Sequence, residues 1–358
     1  MKKLVIIQTT TPDYRAGFFQ ALADNLGENF ELYRGSRYFE QSVKTDASIP
    51  AIDIKNHFLF GRRALFQTGI WHLLFKDVVL VLEMNPRIIS NWLFLIVRKI
   101  AGKKTILWGH AWPRGGIYSK SDGVRHMMRN LVPGIIVYTK QQAEELTLKM
   151  PCKDIQAAPN ALLSAAQMRA TIPKTSPVNL IYVGRLSETK KPLFLAKAFA
   201  ASLDVIPKHV QLIFVGSGDQ KGLLRDFVSD NELEDRILLK GHIADYESLR
   251  DLYTNSIFSV SPGYVGLSLT QSLGFGVPML ISKDEPHAPE IEAVRVGENA
   301  LFYKSDEVES YRESLKNIYN NAARWVFLRP SIATHCQNNY TVEAMAQVFI
   351  DLTDNYGA

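Results

Sequence analysis

The sequence predicts an α/β protein made of two doubly wound, parallel-sheet domains in tandem. Three observations predict it. The 358 residues suit two domains of ordinary size. Short apolar runs rich in β-branched residues recur along the chain, separated by stretches of helical periodicity. The composition, 46% apolar and 22% charged, is that of a globular chain and excludes disorder, collagen-like repeats and coiled coil.

The strands read, in order, at 4–7, 78–82, 105–108, 134–138, 179–183, 211–215, 237–239, 257–260 and 278–281. Their apolar character is continuous rather than alternating, as parallel strands buried on both faces require. Helical patterns fall at 18–25, 141–149, 192–203 and 248–253, so the alternation of strand and helix covers both sheet faces. Pro159, Pro173 and Pro177 punctuate a polar stretch read as a linker, and a fresh strand begins at Asn179. The expected domains are therefore 1–165 and 177–338. A final segment, 339–358, aligns Val342, Met345, Ala346, Phe349 and Ile350 on one helical face that must dock somewhere.

The charge is unevenly spread. The net charge is +5, but residues 1–173 carry 23 Lys and Arg against 13 Asp and Glu, while residues 174–358 carry 18 against 23. Such asymmetry points to different partners for the two halves. Arg62 and Arg63 stand among Phe58, Phe60 and Phe66, and Lys103 and Lys104 follow the apolar run 92–97. Cations beside apolar residues suit an anionic membrane surface. No run approaches the roughly 18–20 apolar residues of a membrane-spanning helix, and the apolar stretch at 4–7 is too short for a signal peptide. The expectation is a cytoplasmic protein, peripheral on the inner face of the membrane. Cys152 and Cys336 lie far apart with no Cys-x-x-Cys, which excludes a disulfide scaffold and a cysteine metal site.

In doubly wound sheets ligands bind beyond the carboxyl ends of the strands, so the chemistry is sought there. After 179–183 come Gly184, Arg185 and, five residues on, Lys190, just before a helix start. Two cations near a helix N-terminus suit a diphosphate. After 211–215 come Gly216 and Gly218, a tight turn without the Gly-x-Gly-x-x-Gly of a dinucleotide site. After 257–260, the backbone N–H groups of Gly266, Leu267 and Ser268 stand where a helix begins and can hold a phosphate. Glu290 and Glu292 follow the next strand; carboxylates there suit sugar or ribose hydroxyls, which donate to them. In the first domain His110 closes the strand at 105–108 and is a candidate proton carrier or sugar contact. Tyr14, Arg15 and Gly17 enter the first helix.

Taken together these residues resemble the family 4 retaining glycosyltransferases, over nearly the whole chain and most strongly over 179–303. Val183-Gly184-Arg185-Leu186 with Lys190 is similar to the family's donor-clamping signature, Gly216 and Gly218 to its second glycine turn, Pro159-Asn160 to its interdomain element, and Gly276-Val277-Pro278 to the close of its signature helix. The resemblance implies the GT-B architecture: two facing Rossmann-like domains with a C-terminal helix crossing back to the first. It implies sugar transfer from a nucleotide-diphospho-sugar to a lipid-linked or other glycan acceptor, with retention, without metal or further cofactor, and without nucleic acid. Arg185, Lys190 and His110 are the catalytic candidates; Gly184, Gly216, Gly266, Leu267, Ser268, Gln271, Glu290 and Glu292 the donor-binding ones. The sequence departs from the family at Gly263 and Gln271, where it usually carries two glutamates. An epimerase or hydrolase of the same fold, and a non-catalytic nucleotide-sugar or nucleic-acid binding protein, are the alternative readings.

Overall fold

A computed structural model describes residues 2–40, 45–113 and 116–356, and divides the chain into two compact units. Residues 1–162 and 342–358 form the first, and 163–341 the second.

The first unit contains β1 (Leu4–Gln8), α1 (Ala16–Leu26), β2 (Phe30–Gly35), β3 (Ile52–Leu59), β4 (Ala64–Thr68), β5 (Val79–Glu83), α2 (Ile89–Ile100), β6 (Thr105–Trp108), α3 (Asp122–Asn130), β7 (Gly134–Val137), α4 (Lys140–Lys149) and β8 (Asp154–Ala157). The eight strands lie in the order β4-β3-β2-β1-β5-β6-β7-β8. All neighbours are parallel except the β3–β4 hairpin. Strands β3, β4 and β8 carry no continuous apolar run because they lie at or beside the sheet edges and are only partly buried, and β2, though buried, is interrupted by Glu31 and Arg34; the sequence pattern therefore passed over all four. On one sheet face Phe18, Phe19 and Leu22 of α1 pack with Leu4, Ile6, Val79 and Trp108. On the other, Phe94 and Leu95 of α2, Met128 of α3 and Leu146 of α4 cover Val5, Ile7, Leu80 and Leu107. The Thr139 side chain caps α4 by accepting from the Gln142 N–H at 3.0 Å.

The second unit contains β9 (Asn179–Val183), α5 (Pro192–Ala200), β10 (Leu212–Val215), α6 (Lys221–Asp230), β11 (Ile237–Gly241), α7 (Tyr246–Thr254), β12 (Ser256–Ser261), α8 (Ser268–Gly274), β13 (Met279–Ser282), β14 (Ala300–Tyr303), α9 (Val308–Asn320) and α10 (Ala322–Asn339). Its six strands are all parallel, in the order β11-β10-β9-β12-β13-β14. The polar stretch read as a linker belongs to this unit from residue 163 on. Thr171 explains why: its N–H and hydroxyl both donate to the Phe275 carbonyl, at 2.8 and 3.1 Å, and Arg329 donates to its hydroxyl. Three polar residue types without periodicity gave the sequence no sign of that attachment.

After α10 the chain returns to the first unit as α11 (Val342–Asn355). Val342, Met345, Ala346, Phe349 and Leu352 are its buried side chains, packed in the α1 core. Phe349 meets Phe18 and Trp108 edge-on at 5.0 and 4.9 Å between ring centroids. Neither Cys152, exposed, nor Cys336, buried, is in a disulfide.

Candidate functional site

In each sheet the strand order reverses once, and the side chains of interest stand at that reversal. In the second unit it lies between β9 and β12, where a doubly wound sheet opens a crevice. Beyond β9 the chain runs through Gly184 and Arg185 to Lys190, and Lys191 adopts a left-handed turn (φ 51°) that starts α5 at Pro192. The two neighbouring lysines have different duties. Lys191 is fixed by carboxylates, 2.6 Å from Glu285 and 2.7 Å from Asp306. Lys190 forms no ion pair among the described residues: its Nζ donates to the Tyr264 carbonyl at 2.6 Å and lies 4.1 Å from the centroid of that ring. Burial and, after it, the Arg185 charge lower the Lys190 ammonium to about 8, with Glu290 opposing both. Arg185 is exposed, and its guanidinium makes no hydrogen bond or ion pair with any described residue. Two cations thus stand close enough to disfavour each other, which is the electrostatic condition of an anion site.

The loop after β12 forms the facing wall. The N–H groups of Gly266, Leu267 and Ser268 donate to no backbone acceptor among the described residues. Gln271, on α8, is buried, and its side-chain amide makes no hydrogen bond among the described residues. Gly216 and Gly218 are places of close approach. A Cβ on Gly216 (φ 149°) would lie 1.8 Å from the Gly184 carbonyl, and one on Gly218 2.2 Å from that of Leu186. Gly263, where the resemblance expects a glutamate, is closed in the same way: a Cβ there would lie 2.4 Å from the Thr189 carbonyl. The two glutamates beyond β13 separate by environment. Glu290 is buried and acts on Lys190, while Glu292 acts on Tyr340 of the second unit.

His287 escaped the sequence reading. Its Nδ1 accepts the Val265 N–H at 3.2 Å and its Nε2 donates to the Ser282 carbonyl at 2.9 Å. Both bonds hold only for the neutral ring with its proton on Nε2, and burial lowers its pKa accordingly. It ties the β12 loop to the end of β13. A histidine beside three carboxylates gave no pattern that would mark such a role.

In the first unit the reversal lies between β1 and β5. Glu83, the last residue of β5, accepts hydrogen bonds from both the N–H and the hydroxyl of Thr9, just beyond β1. Burial pushes its carboxyl up, against the Thr9 bonds and the Arg15 charge. The sequence signal was present as an acid directly after the apolar run 78–82. Arg15 is buried, its guanidinium 4.3 Å from the Trp108 ring centroid, with Nη2 donating to the Tyr138 hydroxyl at 3.1 Å. Tyr14 lies alongside. His110 is exposed at the end of β6, its ring edge-on to Tyr138 at 4.8 Å. Arg125 of α3 donates to the His110 and Met84 carbonyls, both at 3.0 Å, and so fixes the β6 turn. Gly17 has a packing position: a Cβ there would meet Val342 of α11 at 3.3 Å. Glu83, Arg15, Tyr138 and His110 thus form one polar group at the carboxyl edge of this sheet. Among the described residues no cluster of three or more His, Cys, Asp or Glu could hold a metal ion.

Residues 165–326 match the family described as glycosyl transferases group 1. Over 186 residues, 51% of this chain, the protein is 30% identical to the UDP-N-acetylglucosamine–peptide N-acetylglucosaminyltransferase GtfA subunit of Streptococcus pneumoniae serotype 4. The match spans 33% of that relative, about a third of its length. Among solved structures, that of Anabaena HepE in complex with UDP superposes with a TM-score of 0.71 at 13% identity, covering 99% of this chain and 100% of the other. The lipopolysaccharide outer core galactosyltransferase WaaB gives 0.69 at 14%, covering 99% and 100%. The pneumococcal O-GlcNAc transferase GtfA with UDP and GlcNAc gives 0.69 at 13%, covering 99% of each. The GT-B fold class expected from the sequence is the fold these structures share.

Proposed function

From the match of residues 165–326 to the glycosyl transferases group 1 family, we propose that this protein is a retaining glycosyltransferase that moves a sugar from a nucleotide-diphospho-sugar to a lipid-linked glycan. The observation that carries the reading is Lys190: a half-buried ammonium, lowered to about 8, with Arg185 beside it and the opposing charge of Glu290 too weak to restore it. A diphosphate supplies the missing negative charge. Arg185, Lys190 and the N–H groups of Gly266, Leu267 and Ser268 bind it, Gln271 and Glu290 take ribose or sugar hydroxyls, and Gly184 and Gly216 keep the turns close. UDP, the nucleotide named for the pneumococcal relative and bound in the HepE complex, is the first to try.

In the reaction the bond from the sugar C1 to the diphosphate oxygen breaks, and a bond from C1 to the acceptor oxygen forms. The acceptor hydroxyl proton passes to the departing diphosphate. Charge grows on that diphosphate in the transition state, so preorganised cations lower the barrier. No metal is required for this, since Arg185 and Lys190 carry the neutralising charge. On the first unit His110, Tyr14, Arg15 and Gly17 flank the acceptor, and Glu83 holds the Thr9 turn among them. The basic first half favours an acceptor presented at an anionic membrane, and a peripheral location there.

The test is a thermal-shift panel of UDP-, GDP- and dTDP-sugars, followed by donor turnover with and without EDTA. A stabilising donor, turnover unchanged by EDTA, and a product of unchanged anomeric configuration by NMR are expected. Absence of any stabilising nucleotide sugar would end the donor assignment.

A further inference from the structure

One face of the first unit is apolar where a globular surface is normally polar. The outward positions of α2 are Ile89, Leu93, Ile96, Lys99 and Ile100; all but Lys99 are aliphatic, and Ile100 is 83% exposed. Spacings of four, three and four residues set the four aliphatics in one stripe about 16 Å long. The opposite side of α2, with Phe94, Leu95 and Arg98, already packs on the sheet, so the stripe is not needed for the core.

The stripe continues into the β3–β4 hairpin. At its tip Phe60 is 77% exposed, and Phe60 and Arg62 both have left-handed backbone (φ 52° and 66°), a costly state for non-glycine residues. Arg87, just before α2, donates to the carbonyls of Arg62 and Arg63, and its own carbonyl accepts the Leu65 N–H at 2.8 Å. Tip and helix are therefore one surface. At the other end Lys99 donates to the Asn130 carbonyl at 3.2 Å, bringing up α3 with its exposed Val124 and Met127.

The charge of this surface selects its partner. Residues 54–121 contain eleven Lys and Arg against only Asp77 and Glu83, and 84–121 contain no acid at all. Arg63, Arg87 and Lys99 are exposed along the stripe. An apolar ridge rimmed by cations, on a stretch (84–121) without an acid, matches acyl chains beneath phosphate headgroups. A second copy of the same surface would set cation against cation.

We propose that this face docks the protein on an anionic lipid bilayer, with α2 lying in the interface and Phe60 inserted beside it. It deepens the glycosyltransferase reading, on which it rests only for why the acceptor is found there. Binding is measured by co-sedimentation with vesicles of phosphatidylcholine alone or mixed with phosphatidylglycerol. The protein should sediment with the mixed vesicles, release with added salt, and ignore the neutral ones. The double variant Leu93→Glu, Ile96→Glu should lose binding about tenfold or more while keeping its melting temperature, since both side chains already face outward. The milder Phe60→Ser should lose part of it. Equal binding by the double variant, or no binding of the parent, overturns the proposal. So does a parent that is a dimer in solution and becomes monomeric in the double variant. Donor hydrolysis on the same preparation without vesicles separates the two readings: hydrolysis without vesicle binding sinks the docking face alone, and vesicle binding without hydrolysis leaves it standing.

Discussion

If Lys190 awaits a diphosphate, nucleotide binding must be coupled to a proton. The free ammonium titrates at about 8, so at pH 9 roughly nine molecules in ten carry a neutral amine there. A bound diphosphate returns the group to at least the ordinary value of about 10.4. The apparent Kd for UDP then grows with the neutral fraction, by about eightfold between pH 7.5 and pH 9. The phosphate itself contributes little, since its own last ionisation lies near pH 6. Isothermal titration in buffers of different ionisation enthalpy reads both quantities, and at pH 9 should register uptake of about 0.9 proton per UDP. Lys190→Arg keeps a permanent charge and should flatten the profile. A flat profile in the parent, or the same rise in Lys190→Arg, would refute the coupling. The sign carries over to folding. Because the folded-state value is depressed, the unfolded chain binds more protons between pH 8 and the ordinary lysine value, and this residue's contribution to stability rises with pH across that window.

Other outcomes follow from the same geometry. Arg185→Ala should lower kcat/KM at least about tenfold, or more than about 1.4 kcal/mol of transition-state binding, in a donor turnover assay. Its exposed guanidinium leaves the melting temperature unmoved. Gly263→Ala places a methyl 2.4 Å from the Thr189 carbonyl and must push the Lys190 turn aside. It should destabilise by about 1–3 kcal/mol on chemical denaturation and weaken UDP binding as well. Arg98 is buried and donates to the carbonyls of Leu73, Lys76, Val78 and Lys104 and to the Thr105 hydroxyl, with no carboxylate bonded to it. Arg98→Leu strands those acceptors and should cost about 3–5 kcal/mol by urea unfolding, with UDP affinity unchanged in the protein that remains folded.

The central parallel strands were legible because burial on both faces writes a continuous apolar run: β1, β5, β6, β7 and β9 to β13 all follow it closely. Strands β3, β4, β8 and β14 were not, since they lie at or beside a sheet edge and are only partly buried, nor was β2, whose run is broken by Glu31 and Arg34. The donor-side candidates were legible because glycine and cation types recur at strand ends. Glu83 and His287 were not. Their meaning lies in what they bond, Thr9 from 74 residues away and Val265 from 22, and no local pattern encodes such pairs.

The sequence by itself determined the α/β class, the places where strands end, and the excess of positive charge in the first half, because hydrophobic periodicity and composition are local properties of the chain. Only the tertiary structure decided which of two adjacent lysines is paired with carboxylates, which of two nearby glutamates acts on Lys190, and why Gly263 admits no side chain. Those outcomes depend on backbone from distant segments arriving within a few ångströms, and on the loss of water there, which sets the energy of every charge at the site.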